Sequence, residues 1–200
     1  MPQSKNRLSA EQRKEAILEA ALNVFARKGY NGARTKEIAQ EAGISETLVF
    51  RHFGSKENLY REALDHLFSP HPVDADMAPA MAVDDDHEVL YQLARHVIEH
   101  GRRDGRIVRL NLFSGLEGMG MAKGESTPVQ ALEDYLLRRM EEGGLRKMDA
   151  RLAARYFMYA VFLYVSDMQL KLTGPPSQVS DHEAAEVLAD VFLGGLLPRA

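Results

Sequence analysis

The sequence predicts an all-α protein in two parts, a short N-terminal group of capped helices and a larger helical region behind it. Three observations predict this. Apolar residues recur at three- and four-residue spacing from Ile17 to Phe192, the period of a helix with a buried face. No stretch reads convincingly as a strand. Ser, Thr and Gly punctuate the chain before Phe68 at intervals that suit helix starts and stops.

The elements follow in order. Ser9 and Gln12 have the form of a capping box, and Ile17, Ala20, Ala21, Val24 and Phe25 carry a first helix to Lys28 and a glycine stop at Gly29. Thr35 is placed to cap a second helix, with Ile38, Ala39 and Ala42 as its apolar stripe and Gly43 as its end. Ser45 caps a third, which Gly54 ends after about two turns. Ser55 caps a fourth, lined by Leu59, Tyr60, Ala63, Leu64 and Leu67. Residues 69–86 turn to Pro, Ala and Asp, with Pro70, Pro72, Pro79 and the run Asp84–Asp86, and read as a linker or mobile loop. Helical patterns resume over 87–102, 104–119, 127–142, 149–172 and 181–196.

Composition narrows the class. Of 200 residues, 45% are hydrophobic and 27% charged, which suits a globular chain with a real core. The net charge of -4 argues against nucleic acid only until the chain is divided: 11 Lys+Arg face 9 Asp+Glu up to Asp65, and 14 face 20 beyond it. The first segment is mildly basic and the remainder acidic. There is no cysteine, which excludes disulfides, thiol catalysis and Cys-ligated zinc. No apolar run approaches the roughly 20 residues of a membrane span, and Glu11, Glu15 and Glu19 interrupt any signal-type core, so a cytoplasmic chain without membrane attachment is expected.

The third helix is too short to be stable alone. On a helical wheel Val49 and Phe53 share one side, while Thr47 and Arg51 lie opposite, flanked by Leu48 and Phe50. Burial of the first pair against neighbouring helices holds it, and the other side is left on offer. A helix, a tight turn at Ala42-Gly43-Ile44 and a short second helix make the helix-turn-helix arrangement, whose second helix enters the major groove.

The residues Thr35, Ile38-Ala39, Ala42-Gly43-Ile44-Ser45, Val49, Phe50, His52-Phe53 and Ser55-Lys56-Glu57 occur in an order and spacing that resemble the N-terminal domain of the TetR family of transcriptional regulators. The resemblance is close over roughly residues 10 to 60 and in outline beyond, including Asp190-Val191-Phe192-Leu193 near the end. Two positions depart from the family pattern. Thr47 stands where Gly or another small residue is frequent, and Phe50 where Tyr is usual, so a phosphate hydrogen bond from that hydroxyl is lost.

The resemblance implies a helix-turn-helix DNA-binding domain over 1–55, a connecting helix over 56–68, the linker over 69–86, and a helical effector-binding and dimerisation domain over 87–200. It implies phosphate contacts from Thr35 and Lys56, both at predicted helix starts that favour anions. Arg51 and Lys36 are the candidates for base readout, Arg51 because a guanidinium bonds bidentately to guanine O6 and N7. Ser45, Thr47, Leu48, Phe50 and His52 complete the expected DNA-facing set, and Lys5 and Arg7 stand where a minor-groove arm would begin.

Residues 153–165 are apolar or aromatic almost all round and contain one charge, Arg155, so that helix is buried on more than one side. The resemblance makes it and the last helix a two-fold interface, with Tyr156, Tyr159, Leu163, Val187, Leu188, Val191 and Phe192 as contacts. It further implies a small-molecule pocket, for which Tyr91, Phe113, Met119, Tyr135, Phe157 and Met158 are candidate lining residues and an apolar or aromatic effector the expected ligand. The expected partners are therefore an operator duplex, an effector and a second copy of the chain. No catalytic residue and no cofactor is expected.

Two rival readings come from other residues. His96-Val97-Ile98-Glu99-His100 matches the H-x-x-E-H string of one zinc-peptidase group, which makes His96 and His100 candidate metal ligands for a hydrolase or, with the Asp84–Asp86 run, for a metal-sensing regulator. A helical adaptor using its N-terminal unit for protein contact is the third class, separated from a regulator by salt-dependent duplex binding.

Overall fold

The computed structural model describes residues 9–68, 73–119, 128–174 and 178–198. They form ten α-helices, with no strand among the described residues: α1 (Ala10–Gly32), α2 (Thr35–Glu41), α3 (Glu46–Phe53), α4 (Lys56–Phe68), α5 (Val73–Ala82), α6 (Asp86–Arg103), α7 (Arg106–Glu117), α8 (Pro128–Glu141), α9 (Ala150–Leu170) and α10 (Asp181–Leu196). They divide into two units. The first comprises the described residues to 68 with 109–119, and the second 73–108 with those from 128 onward.

The capping expected from sequence is largely present. Ser9 accepts from the Gln12 N–H and Gln12 returns a side-chain oxygen to the Ser9 N–H, both capping-box bonds. Ser45 accepts from the Leu48 N–H at 3.3 Å and Ser55 from the Asn58 N–H at 3.0 Å. Thr35 is a correction: Arg34 is the N-cap of α2, and Thr35 is its first helical residue with a hydroxyl turned to the Glu46 carboxylate. Gly29 is a second, since α1 kinks there at φ 70°, ψ 178° and resumes to Gly32.

The first unit closes on Ile17, Leu22, Phe25, Ile38, Val49, Phe53, Leu59 and Leu64, all buried, with Leu110 of α7 among them. Two exposed ion pairs, Arg27 with Glu41 and Lys28 with Glu37 at 2.7 Å, tie α2 to α1. Solvent screens exposed pairs of that kind, which contribute little, so apolar burial carries the unit.

In the second unit α6 lies against α5, α9 and α10, and α8 packs on α9. Leu93, Ile98, Phe157, Val161 and Ala185 are fully buried at its centre. Helices α6 and α9 cross where Gly101 faces Val165, so closely that a Cβ on Gly101 would stand 2.2 Å from Val165 Cγ1. The expected linker over 69–86 is corrected by α5, which runs through Pro79 and buries Met77 and Ala80 in this core. Four of its ten residues are Ala, against two Asp and one Pro, and the helix packs on α6.

Candidate nucleic-acid interface

Helix α3 is held by burial and capped at both ends. Val49 is 1% and Phe53 3% exposed, which fixes the rotation of the helix, while Thr47 and Arg51 are exposed and Phe50 is 45% exposed on its other side. Leu48 is half-buried. Ser45 begins α3 and Gly54, at φ 73°, ends it. The turn before it closes as the Ile44 N–H returns to the Ala39 carbonyl at 3.0 Å, with Gly43 at φ 68°. A left-handed residue at that position favours glycine. A helix, a three-residue turn and a short docked helix are thus in place, with an exposed guanidinium on the open side.

Charge around this face is organised. Lys36 and Arg51 are exposed, and neither guanidinium nor ammonium is held by an ion pair among the described residues. The acids of α2, Glu37 and Glu41, are engaged instead by Lys28 and Arg27 behind it. The Lys28 hydrogen bond draws the Glu37 carboxyl below its usual range, and that from Arg27 does the same for Glu41. Thr35 donates to Glu46, so a phosphate contact through its hydroxyl requires Glu46 to release it. His52 is half-buried, and its Nε2 is enclosed without a hydrogen-bond partner. Lys56 lies with Nζ 4.4 Å from the centre of the Tyr30 ring; burial pushes its pKa down and Glu117 pushes it back up. Lys5 and Arg7 lie outside the described residues.

The residue pattern of this unit matches a family model described as "Bacterial regulatory proteins, tetR family" over residues 17–63. Relatives extend the likeness. The transcriptional repressor NicS of Pseudomonas putida is 24% identical over 78% of this chain and 76% of its own length, and RutR of Escherichia coli is 34% identical over 61% and 57%. The first unit carries the DNA-binding pattern of the TetR family. With the exposed face of α3, these relatives support a DNA-binding regulator. A solved structure of NalD, secondary repressor of the MexAB-OprM efflux pump in Pseudomonas aeruginosa, shares the fold with a TM-score of 0.65 and 20% identity, over 96% of this chain and all of that one. The matched region covers just over half of RutR.

Of the six residues expected around an effector, Tyr91, Tyr135, Phe157 and Met158 lie in or against the core of the second unit, while Phe113 and Met119 belong to the first. Phe157 is fully buried and packs on Phe192, ring centres 4.9 Å apart. Tyr135 donates to Asp86 at 2.6 Å, and burial together with that carboxylate pushes its pKa up. The phenol of Tyr91 meets His182 Nδ1 at 2.7 Å.

Helices α9 and α10 leave an apolar face open. Tyr156, Tyr159, Leu163, Val187 and Val191 are each more than half exposed, and Leu188 and Phe192 are half-buried beside them. A groove of about 570 Å³ runs between Leu152 and Tyr156 on one helix and Val187 and Val191 on the other.

The side chains of the metal readings have other partners in the structure. His96 and His100 stack on each other with ring centres 4.3 Å apart, and His96 Nδ1 meets Asp76 at 2.7 Å. Asp84 and Asp86 are occupied by Arg138 and Arg139 of α8 at 2.7 and 2.9 Å. Among the described residues no group of three or more potential ligands is arranged around a common point. Residues that sequence patterns missed are Glu46 and Glu117: both act on partners far along the chain, where periodicity carries no signal.

Proposed function

We propose that this DNA-binding regulator is a repressor that binds a near-palindromic operator as a homodimer and leaves it when a small apolar or aromatic effector binds. The observation that carries the DNA half is the orientation of α3, fixed by buried Val49 and Phe53 so that Thr47, Phe50 and Arg51 face outward. In this reading α3 enters the major groove, Arg51 reads guanine with Lys36 as the second base reader, Thr47 and Leu48 contact bases, Phe50 lies on sugar or a thymine methyl, and Thr35, once Glu46 releases it, positions the head on phosphates with Ser45, His52 and Lys56. The names of NicS and NalD as repressors support the sign of regulation.

The open apolar face of α9 and α10 supports the dimer. Tyr156, Tyr159, Leu163 and Val191 in water are unfavourable, and a second copy meeting the same face about a two-fold axis covers them. Two copies place two α3 helices for half-sites about 34–36 Å apart, one turn of DNA. The aromatic and methionine residues Tyr91, Tyr135, Phe157 and Met158 support an apolar or aromatic effector.

Selection of bound duplexes from a random pool tests the reading. It predicts enrichment of an inverted repeat whose affinity falls steeply with salt, and a screen on that duplex for compounds that release the protein. Enrichment of nothing, or binding indifferent to salt, would sink it.

A further inference from the structure

The carboxylate of Glu117 lies where helix α1 breaks. At Gly29 the backbone turns to φ 70°, ψ 178°, a conformation open to glycine and strained for other residues. Beyond the break the N–H groups of Tyr30 and Asn31 donate to Glu117 Oε2 and Oε1 at 2.7 and 3.0 Å, so both oxygens of one carboxylate are engaged. The site is built around the missing side chain: a Cβ on Gly29 would stand 2.5 Å from Glu117 Oε1 and 2.8 Å from the Phe113 ring.

Tyr30 leads from this clamp to the DNA-facing surface. Its ring packs edge-on to Tyr60 at 5.3 Å and stacks over Phe25 at 6.2 Å, and its face supports Lys56 Nζ at 4.4 Å. Lys56 is the first residue of α4 and one of the cations assigned above to DNA phosphate. Glu117 therefore fixes the backbone of the residue on which that cation rests, and supplies a negative charge that favours its ionised form. All of these residues lie in the first unit.

We infer that Glu117 is a positioning residue for DNA binding, acting on Lys56 through Tyr30. The inference rests on the DNA-binding reading of α3 and Lys56. Helix α7 has an independent hold on α4, the buried Tyr60 hydroxyl to Ser114 hydroxyl bond at 2.6 Å, so removing Glu117 loosens the Tyr30 clamp while α7 stays in place. An acid on a surface that must meet phosphate is otherwise unfavourable. Here the carboxylate accepts from two backbone N–H groups at the break in α1.

The test compares wild type, Glu117→Ala, Glu117→Gln, Lys56→Ala and the Glu117→Ala/Lys56→Ala double variant on a duplex selected from a random pool. Amide exchange is followed in the free proteins. In Glu117→Ala the Tyr30 and Asn31 amides exchange about tenfold faster while those of Val24 and Phe25 do not change. DNA affinity falls about fivefold to tenfold, Glu117→Gln recovers part of it because its amide oxygen still accepts, and the double variant binds no more weakly than Lys56→Ala. Losses that multiply in the double variant, or faster exchange with unchanged affinity, overturn the inference and make Glu117 a purely structural residue. Wild-type protein that enriches no duplex overturns the DNA-binding reading itself, before any variant is compared.

Discussion

Replacing Phe53 and Phe50 in turn separates what holds α3 from what α3 presents. The two residues are three positions apart on an eight-residue helix, with Phe53 3% and Phe50 45% exposed. Deleting a fully buried Phe ring costs about 3–5 kcal/mol, transfer and cavity together. For a ring that water already reaches on one side, the loss is about 1 kcal/mol or less. A domain of this size has a total stability of about 5–15 kcal/mol, so Phe53→Ala removes a large part of what keeps the first unit folded. Urea unfolding followed by circular dichroism, with amide exchange to assign the loss to α3, gives the first readout, and duplex affinity the second. Phe53→Ala lowers both. Phe50→Ala leaves stability within about 1 kcal/mol and weakens DNA binding alone. A Phe50→Ala protein as destabilised as Phe53→Ala, or a Phe53→Ala protein that keeps its α3 protection and its affinity, refutes the reasoning.

Three further outcomes are expected. Val191→Asp places a charge on the open face of α10, so sedimentation at micromolar concentration shows monomer where wild type shows dimer, and operator affinity falls with it. Gly101→Ala drives a methyl into Val165 and costs about 1–3 kcal/mol in thermal unfolding, part of which Val165→Ala restores in the same background. The Glu41 carboxyl is held low by its hydrogen bond from Arg27, against the opposing effect of burial, with Asn23 and the Arg27 charge adding to the bond. Its folded pKa lies below its unfolded value, so its contribution is complete above the ordinary carboxylate range near about pH 4.3 and disappears as pH falls through the lowered folded value. Arg27→Gln flattens that acid limb of a stability profile and leaves the neutral limb parallel to wild type.

What sequence revealed was what local rules govern. The capping box at Ser9, the caps at Ser45 and Ser55, and the burial of Val49 and Phe53 follow from spacing within a few residues, and the structure has each of them. Helix α5 escaped because a proline and scattered acids masked Met77 and Ala80, whose burial depends on α6. Thr35 was misread as a cap because its competing partner, Glu46, is 11 residues away. Glu117 reaches Tyr30 across 87 residues, and only the fold brings the two together. The histidine pair shows the converse: helical spacing aligned His96 with His100, and among the described residues no group of three potential ligands forms around them.

The sharpest measurement is the affinity of Arg51→Ala for a selected operator and for variants of it with each guanine replaced, over a series of salt concentrations. If α3 reads bases through Arg51, the substitution costs about 1–3 kcal/mol on the operator, erases the preference at one guanine in each half-site, and leaves the remaining preferences standing. An Arg51→Ala protein that binds the operator as tightly as wild type and discriminates the same guanines would contradict it.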